Sequence, residues 1–131
     1  MEEANRLIPT LEESLDTLTG IAREATALRR EIEVLGAIAG SGASEDSPDV
    51  RLLREKERLQ KASLERFRSE LAAIARHGCL LRDLELGLVD FYTMAQGRVV
   101  YLCWRRGEPR IEHWHPLDEG FSGRRPLSEL L

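Results

Sequence analysis

A change of apolar period at Gly78 constrains this chain more than any other feature. Before it, Ile8, Leu11, Leu15, Leu18, Ala22, Ala25, Leu28, Ile32 and Leu35 recur at steps of three and four, with one slip between Ala25 and Leu28. That spacing is the narrow apolar seam of an amphipathic helix. Pro9 lies early in the seam and Thr10 with Glu13 has capping-box spacing, so a kink or restart is expected near Pro9, with the main rod running from Thr10 to Ile38. Residues 39–48, rich in Gly, Ser and acids, cannot bury apolar surface and form a flexible connector. Ser47 as a cap and Pro48 at the first helical position open a second helix over 49–77, whose apolar residues include Leu52, Leu53, Leu59, Leu64, Phe67, Leu71 and Ile74. Gly78 closes it as the residue after the C-cap.

At about 1.5 Å rise per residue, both helices reach roughly 40 Å, and the short connector makes them antiparallel neighbours. Two helices alone leave apolar seam uncovered. The heptad-like pattern therefore predicts coiled-coil packing of hairpin on hairpin, a homodimer or higher oligomer assembled through the helices. Beyond Gly78 the segments CLLRDLELGLVDFY, RVVYLCWR and PRIEHWHPL are β-branched and aromatic, separated by Ala95-Gln96-Gly97 and Arg106-Gly107-Glu108. They predict an antiparallel meander of three or four short strands within residues 79–125. Val99, Tyr101 and Cys103 alternate with Val100, Leu102 and Trp104, so both faces carry apolar groups; one packs on the helices and the other is a partner interface or a pocket wall. The expected fold class is α+β, a long antiparallel helical hairpin followed by a small sheet, in one domain of 131 residues.

The net charge of -4, from 23 acidic and 19 basic residues interspersed along the chain, lacks the basic excess that a phosphate backbone demands, so nucleic acid is not the expected partner. No apolar run approaches the roughly 18 residues of a membrane span, and MEEANRL is acidic where a signal peptide is basic. A cytoplasmic protein without a membrane partner is expected. Cys79 and Cys103 belong to no paired zinc or redox spacing, and reduced, half-buried thiols are the default.

The chemistry-bearing residues crowd between Gly87 and Arg125. His113 and His115, one residue apart on a strand, project from the same face; Asp118 and Glu119 follow Pro116, and Asp90 or Cys103 on a neighbouring strand offers a third ligand. Together they outline a zinc, manganese or iron site, although an exposed strand face explains a His-x-His pair equally well. Asp90 lies among apolar residues in GLVDF, where a buried carboxylate costs several kcal/mol unless Arg82, Arg105, Arg124 or backbone donors meet it. It is either a structural ion pair or a ligand acceptor and general base tuned by burial. Arg105, Arg106, Arg124 and Arg125, with Gly120 and Gly123 around Phe121, suggest a loop for a small anionic ligand, a weak motif whose glycines serve turns equally well. Trp104 and Trp114 are either an aromatic wall of that pocket or core. Cys103 as a nucleophile activated by His115 is disfavoured, because a thiol among apolar residues is held protonated.

The motifs EEANRLIP (Glu2 to Pro9), GLVDF (Gly87 to Phe91), LCWRRGE (Leu102 to Glu108) and WHPLDEGFSGR (Trp114 to Arg124) resemble a prokaryotic family, domain of unknown function family 2203, over nearly the whole chain. The resemblance implies an α+β protein and supplies no mechanism. The chain departs from the family pattern in lacking the aromatic-led segment before EEAN, which leaves the first turn prone to fraying. It also departs in carrying His113 where an apolar or aromatic residue is usual, so any role for His113 is particular to this chain. Two functions follow: a homo-oligomeric binding module with an anion or peptide pocket at Asp90, Trp104, Arg105, Trp114, His115 and Arg124; or a metal-dependent enzyme using His113, His115, Asp118 and Glu119. A coiled-coil scaffold with no site is favoured if the tryptophans are buried and no concave surface lies near Arg124.

Overall fold

The computed structural model describes residues 2–40, 42 and 44–130. The fold is α+β: helices α1 (Glu2–Arg6), α2 (Ile8–Ala39) and α3 (Pro48–Arg76) precede strands β1 (Cys79–Asp83), β2 (Leu88–Ala95), β3 (Arg98–Arg105), β4 (His113–His115) and β5 (Arg125–Pro126). The chain divides into two compact units, Leu18–Glu70 and the combination of Met1–Thr17 with Leu71–Leu131. Among the described residues no helix is long and apolar enough to cross a membrane.

The helix break falls at Leu7 rather than at Pro9. Leu7 N–H closes on the carbonyl of Ala4, and α2 then starts at Ile8, which leaves Pro9 within the first turn, where its missing N–H costs nothing. The α3 start follows the sequence: the Ser47 hydroxyl accepts from the Val50 N–H at 3.2 Å ahead of Pro48. Its end follows too, with Gly78 at φ +78° after Arg76. The connector's Ser41 and Ala43, and the end residue Met1 where fraying was expected, lie outside the described residues.

Within the Leu18–Glu70 unit the stretches of α2 and α3 run antiparallel. Arg66 pairs with Glu24 at 2.9 Å and Lys56 with Glu31 at 3.0 Å, so one helix descends as the other climbs. Leu18, Ile21, Leu28, Val50 and Ser63 are buried between them. Ions so exposed contribute at most about 1 kcal/mol each, and the apolar seam is the larger stabilising element.

In the other unit the strands form one five-stranded antiparallel meander in sequence order. The fifth strand, beyond the three or four expected, is two residues long, too short for a period to register. The β2–β3 hairpin turns on Gln96 and Gly97, both at positive φ (+53° and +78°), the two-residue turn whose twist matches paired strands. One face of the sheet carries Val89, Phe91, Val100, Leu102, Trp104 and Trp114, all buried, and Ile8, Leu11, Leu15 and Ile74 complete this unit's core. The opposite face carries Asp90, Tyr101, Cys103 and His115, buried as well although all four are ionisable.

Candidate functional site

The polar face is built by register. Asp90 on β2 is paired with Cys103 on β3, and Cys103 in turn with His113 on β4, while His115 lies opposite Tyr101. Antiparallel partners present side chains on the same face, so three strands deliver a carboxylate, a thiol and an imidazole to one place. Potential ligand atoms of Asp90, Cys103 and His115 lie within 4.8 Å of one another. A cavity of about 270 Å³ opens over them, lined also by Arg82 and by Leu117, Asp118, Glu119, Gly120 and Phe121 of the segment after β4.

Asp90 and His115 are each 2 % exposed, so their polar atoms must find partners inside the protein. Asp90 Oδ2 accepts from Arg82 Nε at 2.9 Å and meets His115 Nε2 at 3.0 Å. The β1–β2 register shifts between Leu81 and Asp83, leaving Arg82 without a direct partner. Such a bulge re-aims a side chain, and here it lets the guanidinium reach Asp90 while stacking 4.9 Å from the Tyr101 ring. The other carboxylate oxygen, Asp90 Oδ1, is buried with no hydrogen-bond partner.

The imidazole is held at both nitrogens. His115 Nδ1 lies 2.9 Å from the Pro116 carbonyl, which can only accept, so Nδ1 carries a proton. Nε2 then faces a carboxylate oxygen, and a proton must lie between them, on the ring or on the carboxyl. For Cys103, burial pushes the thiol up to about 12, and the neighbouring Asp90 charge acts in the same direction while Arg124 opposes it. A thiol so protonated is a poor nucleophile at neutral pH, which removes the physical basis for Cys103 attacking a substrate.

Of the expected ligand-binding residues, the structure brings Asp90 and His115 together at the cavity and disperses the others. Trp104 and Trp114 sit on the opposite face in the core; the Trp104 indole donates to the Glu108 carbonyl at 2.9 Å, and Arg98 and Arg125 stack on Trp114. They are not a pocket wall, because strand alternation places them behind the sheet. Arg105 is exposed beside the Phe121 ring, and Arg124 is bonded to Glu108 at 2.6 Å. The expected metal set is likewise divided. His115 joins Asp90 and Cys103, Asp118 and Glu119 line the cavity, and His113 turns to Glu108, with Nδ1 at 3.4 Å from Oε2. Among the described residues, the group of three or more metal-ligating side chains that converges is Asp90, Cys103 and His115. The sequence offers Asp90 or Cys103 to this set only as a third ligand.

Glu108 is the residue that sequence reasoning missed. From the β3–β4 turn its Oε1 accepts from Arg124 at 2.6 Å and from the Arg105 N–H at 2.6 Å. The signal was an acid directly after Arg105-Arg106-Gly107 in a stretch crowded with arginines, where a lone carboxylate becomes a hub.

No curated protein and no solved structure matches the chain. Residues 1–127 match the family described as "Uncharacterized conserved protein (DUF2203)". With the motifs at Glu2–Pro9, Gly87–Phe91, Leu102–Glu108 and Trp114–Arg124 now placed on α1, β2, β3 and the segment over the polar face, the chain belongs to the DUF2203 family.

Proposed function

We propose that the protein is a small-ligand binding module whose site is the cavity on the polar face of the sheet, and that it takes a ligand with a cationic or hydrogen-bond-donating head. The observation that carries this reading is the unpartnered Asp90 Oδ1 at a cavity that Asp118 and Glu119 also line. A buried acceptor left unsatisfied costs about 1–3 kcal/mol, and more when charged, so a donor or cation arriving there is favoured by that amount. Most arginines that would receive an anion are occupied, Arg124 by Glu108, Arg125 by Glu119 at 3.0 Å, Arg106 by Asp16 and Arg82 by Asp90, and Arg105, which stacks on Phe121, does not line the cavity. Of the three carboxylates in the lining, Glu119 is paired with Arg125 and Asp90 with Arg82 and His115, while Asp118 has no ion pair among the described residues, and the ligand expected here is positive rather than the small anion that the sequence suggests.

Titrating ¹⁵N-labelled protein with methylammonium, guanidinium and acetate tests this. The amides of Gly120 and Phe121 are expected to shift saturably with the two cations and not with acetate, and Asp90→Asn is expected to abolish the response. A stronger response to acetate would sink the reading.

A second reading concerns self-association through the helices, in a reducing compartment that suits the two free cysteines. It is supported by Val34, Ile38 and Leu52, which are 59 %, 61 % and 45 % exposed in the Leu18–Glu70 unit. Sedimentation equilibrium is expected to return a concentration-dependent mass above that of one chain.

A further inference from the structure

We propose that the cation bound at the polar face is a thiophilic divalent metal ion, zinc in the first instance, held by the Asp90 carboxylate, Cys103 Sγ and His115 Nε2, with its fourth position open to the cavity. This rests on the reading of that cavity as a cation site and goes beyond it in naming the ion and its ligands.

The geometry supplies three donors from three adjacent strands. In tetrahedral zinc, with bonds of about 2.0–2.3 Å, donor atoms lie roughly 3.3–3.8 Å apart. The observed limit of 4.8 Å therefore needs a closure of about an ångström, within the reach of side-chain rotation alone. The ligand set also selects the metal. A thiolate and an imidazole beside one carboxylate favour zinc, cobalt or iron over magnesium and calcium, which require oxygen.

The surrounding contacts are those a metal ligand needs. A ligating histidine donates its other ring N–H to a carbonyl or carboxylate, which fixes the tautomer and the ring plane. His115 does this through Nδ1 to the Pro116 carbonyl at 2.9 Å, which leaves Nε2 as the coordinating atom. Arg82 holds Asp90 by Oδ2 at 2.9 Å, and Oδ1 remains buried and unpartnered. The Asp90–His115 pair uses only Oδ2, so Oδ1 is left with the Cys103 thiol as its polar neighbour in the cluster, and an ion that replaces the thiol proton would meet both.

Proton balance is simple. The ion displaces the Cys103 thiol proton and the proton held between His115 Nε2 and Asp90 Oδ2, so one M²⁺ enters as two H⁺ leave. No electron moves. Arg82, as an outer partner, offsets part of the negative charge on Asp90 and Cys103 and acts by positioning the carboxylate.

Cobalt(II) titration of the full-length, tag-free protein, after exposure to a chelator, provides the test. Expected are one equivalent per chain, a thiolate-to-cobalt charge-transfer band in the near ultraviolet, and the intense visible bands of tetrahedral cobalt, all displaced by zinc. Cys103→Ser is expected to remove the charge-transfer band and to weaken binding by more than the roughly 10- to 100-fold typical of losing an outer-shell partner, whereas Cys79→Ser leaves both unchanged. Cys79 is a fair control, since its side chain lies on the other face of the sheet. Should the variants not fold, zinc is expected to protect Cys103 from alkylation in the unmodified protein under mild denaturant by a larger factor than Cys79, which gains only the stabilisation that a ligand of the folded state gives the whole unit. Binding below about a tenth of an equivalent, or a thiolate band that survives in Cys103→Ser, would overturn the proposal. If metal fails to bind while methylammonium still shifts Gly120 and Phe121, the metal is wrong and the cation site stands; if neither binds, both readings fall.

Discussion

Gly87 and Gly97 both adopt positive φ, +68° and +78°, yet their side-chain spaces differ, and that difference can be measured. A Cβ built on Gly97 meets nothing within 4 Å, whereas one built on Gly87 would lie 2.5 Å from the Arg106 Cβ, an atom that cannot rotate away. Left-handed backbone costs a residue with a Cβ about 1–2 kcal/mol, and forced overpacking adds about 1–3 kcal/mol. Gly97→Ala is therefore expected to lose about 1–2 kcal/mol in urea unfolding, and Gly87→Ala about 2–5 kcal/mol. Equal losses would show that the β1–β2 turn gives way and that the close approach to Arg106 is unimportant. The point bears on the site, because Gly87 precedes β2 and the Arg106 N–H donates to its carbonyl at 2.9 Å, fixing the register that brings Asp90 opposite Cys103.

At the scale of elements, the β3–β4 connection depends on Glu108. Its side chain is 21 % exposed and that of Arg124 13 %, so this ion pair is mostly shielded from water, unlike those on the helices. Breaking a fully buried pair costs about 3–5 kcal/mol and an exposed one at most about 1. Glu108→Ala is accordingly expected to cost about 2–3 kcal/mol by thermal or urea unfolding, and Glu108→Gln, which keeps an acceptor for the Arg105 N–H, less; a loss under about 0.5 kcal/mol in Glu108→Ala would remove Glu108 from the structural account. The helices were legible because the information they need is local: the seam, the Ser47 cap, Pro48 and Gly78 act within a turn of themselves. The site was legible only in outline. His-x-His correctly placed two imidazoles on one face, but which carboxylate each meets is decided by strand register and by the bulge at Arg82, and neither leaves a periodic trace in the sequence. The choice among Arg82, Arg105 and Arg124 for Asp90 stays open in the sequence for the same reason, and so does the choice between pocket wall and core for the tryptophans, because alternation alone does not say which face is covered by helices.

For the molecule as a whole, the remaining asymmetry is where apolar surface stays in contact with water. The α2 seam is buried at Leu11, Leu15 and Leu18 and becomes exposed toward Val34 and Ile38, where Val34, Leu35 and Leu52 line a shallow groove of about 460 Å³ beside the Lys56–Glu31 pair. Apolar groups at such exposures lose about 25 cal/mol for each Å² left in water, and a second copy of the same groove is a partner of matching chemistry always present at the protein's own concentration. Leu52 lines that groove, and a charge there is costly when a second copy covers it. Leu52→Glu is therefore expected to weaken self-association by at least about tenfold, about 1.4 kcal/mol, without lowering the unfolding midpoint at monomer concentrations, because Leu52 is exposed in the single chain. Leu64→Glu, at a site 48 % exposed but outside the groove, serves as the comparison and is expected to change the association constant little. If both variants sediment like the parent, or if the parent is a monomer at high micromolar concentration, the groove does not join copies of this chain, and the exposed seam must be explained by a different partner.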